Sequence, residues 1–168
     1  MPGLRGTARF REAAGRVVLT RWREMMSYRD GTLLGEDIEE LHAMRVSSRR
    51  LRAAMDAFAG AFPARSFRPY LRQVKEITDT LGGARDLDVA MEGLGRLLPE
   101  LEESERAGVE GLHSRLRADR TAETPKIAEL FARLDEEGFA TRFEAYLRRR
   151  TDVDVRRLNP RPPASTGA

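Results

Sequence analysis

Apolar residues recur at helical spacing along nearly the whole chain, and no stretch alternates apolar and polar residues with the β-branched enrichment of a strand. An all-α fold follows: a bundle of about five to six helices, with ends set by glycine and proline. A first helix is expected from about Thr7 to Tyr28, with Val18, Leu19, Trp22, Met25 and Met26 inward, stopping at the Asp30-Gly31 turn. A second starts near Glu36 to Ile38, after Gly35, and continues to about Phe62, where Pro63 ends it. Ser66 caps a third helix, which carries Pro69 in its first turn and ends at Gly82-Gly83. A fourth begins around Ala84 to Asp88, with two aspartates near the positive end of its dipole, and weakens at Gly93, Gly95 and Pro99. The acidic stretch Glu100 to Glu110 leads into a fifth, and Thr124-Pro125 opens a sixth that bends at Gly138 and ends in Arg148-Arg149-Arg150. Residues 1–150 form the helical domain; residues 151–168, with Pro160, Pro162 and Pro163, read as a flexible tail.

The 168 residues suit one domain. Mean hydropathy is −0.53, and no apolar run exceeds a few residues, whereas a membrane span needs roughly 20. Arg5 and Arg9 have no apolar segment behind them, so the first residues do not read as a secretory signal. The absence of cysteine excludes disulfides, thiol catalysis and thiolate zinc sites. A cytoplasmic protein with no membrane partner is expected.

Charge is informative by position, not by total. The 30 basic and 27 acidic residues sum to +3. Residues 41–75, however, hold eight basic residues and one acidic, whereas residues 76–110 hold three and ten. A block of +7 therefore precedes a block of −7. Only Lys75 and Lys126 are lysines, a bias that says little about a ligand.

The basic block has a helical phase. At about 100° per residue, Arg45, Arg49 and Arg52 fall within roughly 80° of His42, along about 15 Å of helix. Met44, Leu51, Met55, Phe58 and Phe62 lie opposite, and Arg50 stands apart, placed to pair with a carboxylate. On the next helix Arg68, Arg72 and Lys75 make a narrow stripe beside an apolar sector of Phe67, Tyr70, Leu71, Val74, Ile77 and Leu81. Arg9, Arg16 and Arg23 recur every seven residues on the first helix, so three helices could turn cationic rows toward one groove.

Such rows repel internally by a few tenths of a kcal/mol per neighbouring pair, and a polyanion offsets that cost. Guanidinium forks match phosphate oxygens, and binding by such rows releases counterions. The periodicity fits equally a solvated basic face paired with the acidic block. Asp56 can reach Arg52, and Asp79 can reach Lys75, each at i+4, which leaves Arg45 and Arg49 free.

The string His42-x-x-Arg45-Val46-x-x-Arg49-Arg50-Leu51-Arg52, followed by Leu81-Gly82-Gly83-Ala84-Arg85-Asp86-Leu87-Asp88-Val89, closely resembles the CHAD domain, the conserved histidine α-helical domain. The likeness extends loosely from Ala8 to Arg150. It implies a helical bundle of two similar halves related by a pseudo-twofold axis, with inorganic polyphosphate bound in a basic channel between them. On this resemblance His42, Arg45, Arg49 and Arg52 are channel residues, with Arg72, Lys75 and Arg85 as neighbours. Arg9, Arg16, Arg50 and Arg68 are further candidates. Asp86 and Asp88 would orient arginines. The family carries a second histidine-and-arginine helix, and His113 lacks that context, so the chain resembles the N-terminal half of the unit. A homodimer could complete the twofold arrangement.

The expected function is non-catalytic clamping of polyphosphate, with His42 donating a hydrogen bond and with localisation at polyphosphate granules. No cofactor and no metal are implied. Nonspecific nucleic-acid binding is the main rival; base readout commonly uses Asn or Gln, and the chain has only Asn159 and Gln73. An enzyme acting on phosphoanhydrides is less consistent, because Asp86 and Asp88 sit about 200° apart on a helix and no Gly-x-x-x-x-Gly-Lys-Ser/Thr loop occurs. A bundle that only joins acidic to basic surfaces is the third reading.

Overall fold

The computed structural model describes residues 3–35 and 37–151. Six α-helices make up the described residues, with no strand among them: α1 (Gly3–Met26), α2 (Arg29–Leu34), α3 (Ile38–Ala57), α4 (Ala64–Leu97), α5 (Glu103–Glu136) and α6 (Phe139–Thr151). Single 3₁₀ turns at Ala59–Ala61 and Leu98–Glu100 join α3 to α4 and α4 to α5. The all-α bundle read from the periodicity is the observed fold.

The core is one contiguous cluster. Val18, Leu19, Trp22 and Met25 of α1 meet Met44, Leu51 and Met55 of α3, with Phe67, Val74, Ile77 and Leu81 of α4 alongside. Ile127, Leu130, Phe131 and Leu134 of α5 and Phe139, Phe143 and Leu147 of α6 complete it. α3 lies between α1 and α4, α5 packs on α4, and α6 returns to α1. Aromatic rings tie the ends together: Trp22 meets Phe139 and Phe143 edge-on at 5.4 and 5.5 Å, and Phe62 stacks on Phe67 at 4.3 Å.

Several boundaries differ from those expected, because core contacts outweigh local helix breakers. Gly82 and Gly83 lie inside α4 rather than at its end. Each glycine costs a helix about 0.5–1 kcal/mol relative to alanine, but Leu81 and Ala84 on either side are fully buried and hold the helix in place. The expected third and fourth helices are therefore one. Pro125 likewise sits within α5 and does not open a new helix; Ile127 and Leu130 anchor the segment after it. α4 begins at Ala64 after Pro63, so Ser66 is not its cap; the Ser66 hydroxyl donates to the Pro63 carbonyl at 3.1 Å.

The first helix stops earlier, at Met26, and Asp30-Gly31 lies within α2. The turn that closes α2 is Gly35, left-handed at φ 69°, whose N–H bonds the Gly31 carbonyl at 3.1 Å. α3 ends at Ala57, short of Phe62, which is extended ahead of Pro63. At Gly138, with φ 60°, the chain breaks into two helices instead of bending. Thr151, expected to open the tail, is the buried last residue of α6. Its side chain fills the space beside Gly15, where an added Cβ would come within 2.1 Å of Thr151 Oγ1. The rest of the expected tail, 152–168, is outside the described residues.

Beyond Ala84 on α4 and before Ile127 on α5 no residue joins the core cluster. These segments pack on each other as a two-helix arm that exposes Val89, Leu97 and Leu112. His113 lies on this arm, partly exposed.

Candidate functional site: a groove between α3 and α4

α3 carries Arg45, Arg49, Arg52 and Asp56 at spacings of four, three and four, which places them on one face. Because α4 runs unbroken through Gly82-Gly83, its stripe of Arg68, Arg72 and Lys75 continues at the same spacings through Asp79, Gly82 and Asp86. The two helices are antiparallel. Arg45 Nη2 donates to Asp86 Oδ1 at 3.2 Å, and Arg52 Nη1 lies 4.0 Å from Asp79 Oδ1, so rising numbers on α3 meet falling numbers on α4.

Between them runs an open groove of about 550 Å³, lined by Arg45, Arg49 and Arg52 from α3 and by Asp79, Gly82, Gly83 and Asp86 from α4, with Asp56 and Thr78. The glycines make its floor. An added Cβ at Gly82 would approach nothing closer than Arg45 Nε, at 3.9 Å. The side chains that line the groove thus include three guanidiniums and three carboxylates. Among the described residues no carboxylate lies within 4 Å of Arg49, which is exposed.

Of the residues singled out in the sequence, Arg45, Arg49 and Arg52 come together here. His42 stands one turn before Arg45 on α3, partly buried and outside the groove lining, with Nδ1 enclosed and unpartnered. Arg68, Arg72 and Lys75 are exposed along the same face of α4, beyond the Asp79 end of the groove, and no carboxylate among the described residues lies within 4 Å of them. Arg85 is turned away and held by Glu92 at 2.9 Å. Arg50 reaches Glu24 Oε1 at 3.4 Å, the carboxylate its helical phase called for.

The expected pairing of the arginines needs correction. Arg52 faces Asp79 across the groove and not Asp56 on its own helix; Asp79 is not paired with Lys75; and Arg45 is not free. Neither does the row on α1 join this groove. Arg16 pairs with Glu12 at 3.0 Å and Arg23 with Glu144 of α6 at 3.2 Å. Arg9 lines a separate cleft of about 270 Å³ with Arg11, Arg149 and Arg150. Helix packing sets this geometry: α1 presents that side to α6, with α3 interposed between α1 and α4.

The two aspartates of the Arg85-Asp86-Leu87-Asp88 segment have separate surroundings. Asp86 is exposed over 73% of its side chain and reaches Arg45. Asp88 is 2% exposed and accepts from Arg120 Nε at 2.8 Å, joining α4 to α5. Arg120 had no signal in the sequence, because its partner lies 32 positions away on a helix not expected to be continuous. In the sequence Asp79 was legible only as a neighbour of Lys75, and Gly82-Gly83 only as a helix end; their place in the groove depends on how α3 packs against α4.

On the far side of α4 a second cleft of about 420 Å³ shares Asp79 and Gly83 and adds Glu76, Glu123 and Glu129 with Lys126 and Arg133. Among the described residues no three histidines or carboxylates are grouped to hold a metal ion, and no helix is long and apolar enough to cross a membrane. What the α3–α4 groove offers chemically is a line of guanidinium hydrogen-bond donors, two of them facing carboxylates across the groove. No curated protein and no solved structure matches the sequence. The family model of the CHAD domain matches residues 16–166, nearly the whole chain, and the protein belongs to that family.

Proposed function

We propose that the protein binds inorganic polyphosphate without catalysis, along the α3–α4 groove. The observation that carries this reading is the line of Arg45, Arg49 and Arg52, spanning about 10 Å of helix, continued on α4 by Lys75, Arg72 and Arg68. A linear chain of phosphates meets successive guanidiniums along such a line, each able to fork onto two oxygens. Membership of a family related in general to polyphosphate binding supports the same reading. His42 extends the row at the Arg45 end, where its ring would donate to a phosphate oxygen. Arg85, held by Glu92, would have to exchange partners to take part. A twofold homodimer would place two such grooves face to face, and the protein would collect at cytoplasmic polyphosphate granules.

The test is calorimetric titration with long-chain polyphosphate and with single-stranded nucleic acid, at equal phosphate concentration and several salt levels. Tighter binding of polyphosphate, with affinity falling as salt rises, is the expected result; equal affinity for both polymers would favour nonspecific nucleic-acid binding. Arg45→Ala with Arg49→Ala should lower polyphosphate affinity at least a hundredfold, about 1.4 kcal/mol or more for each guanidinium, with an unchanged helical CD spectrum. Wild-type affinity in that variant would move the site elsewhere. Light scattering with and without polyphosphate tests the dimer, and a monomer in both states would refute it.

A further inference from the structure

We infer that Asp79 and Asp86 are built-in counter-ions of the groove, which an incoming polyanion must displace, and that they hold its affinity down. The inference rests on the polyphosphate reading of the same site and adds its regulation.

Three features carry it. Arg45 donates to Asp86 at 3.2 Å and Arg52 faces Asp79 at 4.0 Å, so two of the three groove arginines already have an anion across the groove. Both carboxylates come from α4 while their arginines come from α3, and both line the space between the helices. Neither is needed to finish the fold: Asp79 is exposed over 59% of its side chain and Asp86 over 73%, in contrast to the buried Asp88 two residues on. With Asp56 the formal charges of the groove lining cancel, three against three.

The physical consequence has a definite sign. In the empty groove the carboxylates relieve repulsion between arginines four and three residues apart. A phosphate chain laid along the groove takes their place, and the displaced carboxylates then stand beside it as like charges. Arg49, with no such competitor, is the point of first contact. A single small anion meets a groove with no net attraction at a distance, whereas a long chain also engages Lys75, Arg72 and Arg68, where no competing carboxylate lies within 4 Å among the described residues. The groove thereby disfavours abundant small anions while the long polymer still binds.

The opposite role is equally definite. If Asp86 and Asp79 aim the guanidiniums for the ligand, removing them weakens binding. Full-length wild type, Asp79→Asn, Asp86→Asn and the double variant would be titrated at fixed ionic strength with long-chain polyphosphate and with tripolyphosphate. The inference expects each substitution to tighten both about threefold, and the pair about tenfold, as for the loss of a partly exposed competing ion. Unchanged or weaker binding of either polymer, with a helical CD spectrum like wild type, overturns it while leaving the polyphosphate reading intact. Failure of wild type to bind polyphosphate overturns both. Should the double variant lose its helical spectrum, the single variants decide the sign alone.

Discussion

The Asp88–Arg120 pair ties α4 to α5 just beyond the last core residues, Ala84 and Ile127, and its removal has a calculable cost. Asp88 is 2% exposed, and its Oδ1 accepts from Arg120 Nε at 2.8 Å. Breaking a fully buried ion pair by deleting one partner costs about 3–5 kcal/mol, because the remaining charge is left without compensation. Two features place Asp88→Ala below that range. The Arg120 side chain keeps 18% exposure, so its guanidinium can find water, and its Nη1 also donates to Thr124 at 3.2 Å. Asp88 Oδ2 is buried without a partner, so part of the wild-type pair is already unfavourable. A loss of about 2–3 kcal/mol remains, or about 5–10 °C in Tm for a domain of this size. Urea denaturation of wild type, Asp88→Ala, Arg120→Ala and the double variant closes a double-mutant cycle, in which the coupling should reach about 2 kcal/mol. A coupling below 0.5 kcal/mol, on the scale of an exposed pair, would refute the reasoning and make the arm depend on its apolar contacts alone. Polyphosphate binding by Asp88→Ala well below its Tm should persist, since Asp88 does not line the groove.

Two further predictions address the groove floor and the core. Gly82→Leu improves helix propensity by up to about 1 kcal/mol, and its Cβ would meet only Arg45 Nε at 3.9 Å, so the variant should melt no lower than wild type. Its side chain would fill the groove and lower polyphosphate affinity at least tenfold in the same titration; normal affinity would mean the polymer does not approach the α4 backbone. The Tyr146 phenol, whose oxygen lies 3.1 Å from Ser66 Oγ, is held above its ordinary value of 10.0, chiefly by burial and against the lowering effects of the Ser66 hydrogen bond and Arg150. The folded protein therefore keeps that proton longer than the unfolded chain, and stability from this group is complete below pH 10 and lost as pH rises through the folded value. Denaturation midpoints of wild type should fall above about pH 10 more steeply than those of Tyr146→Phe; parallel alkaline limbs would exclude the phenol as the cause.

How far the sequence could be read depended on whether a signal was local. Core positions on α1, α3 and the first half of α4 followed directly from the 3.6-residue period, because each of those helices buries one face: Val18, Leu19, Trp22, Met44, Leu51, Val74 and Ile77 are all at most 2% exposed. Arg45, Arg49 and Arg52 share a face for the same reason. The period carries less information on the arm, where two helices cover only each other, and the charges between Leu98 and Ile127 gave no inward face to follow.

Glycine and proline misled for a related reason. Their local cost is about 0.5–3 kcal/mol, and core burial on both sides of Gly82-Gly83, and beyond Pro125, exceeds it. That one boundary changes the meaning of the groove. Ended at Gly82, α4 would carry the cationic stripe with one carboxylate, Asp79, near its end, and Asp86 would belong to another helix with no fixed relation to Arg45. Continued through the glycines, the same stripe changes sign along its length, from Arg68, Arg72 and Lys75 to Asp79 and Asp86, and brings the acidic block against the arginines of α3. The +7 and −7 segments are therefore not two surfaces that happen to be adjacent in sequence. They meet across one groove, in which Arg45 and Arg52 face carboxylates and Arg49 has none within 4 Å among the described residues; on the proposed reading of the site, that balance would set how strongly the groove holds polyphosphate.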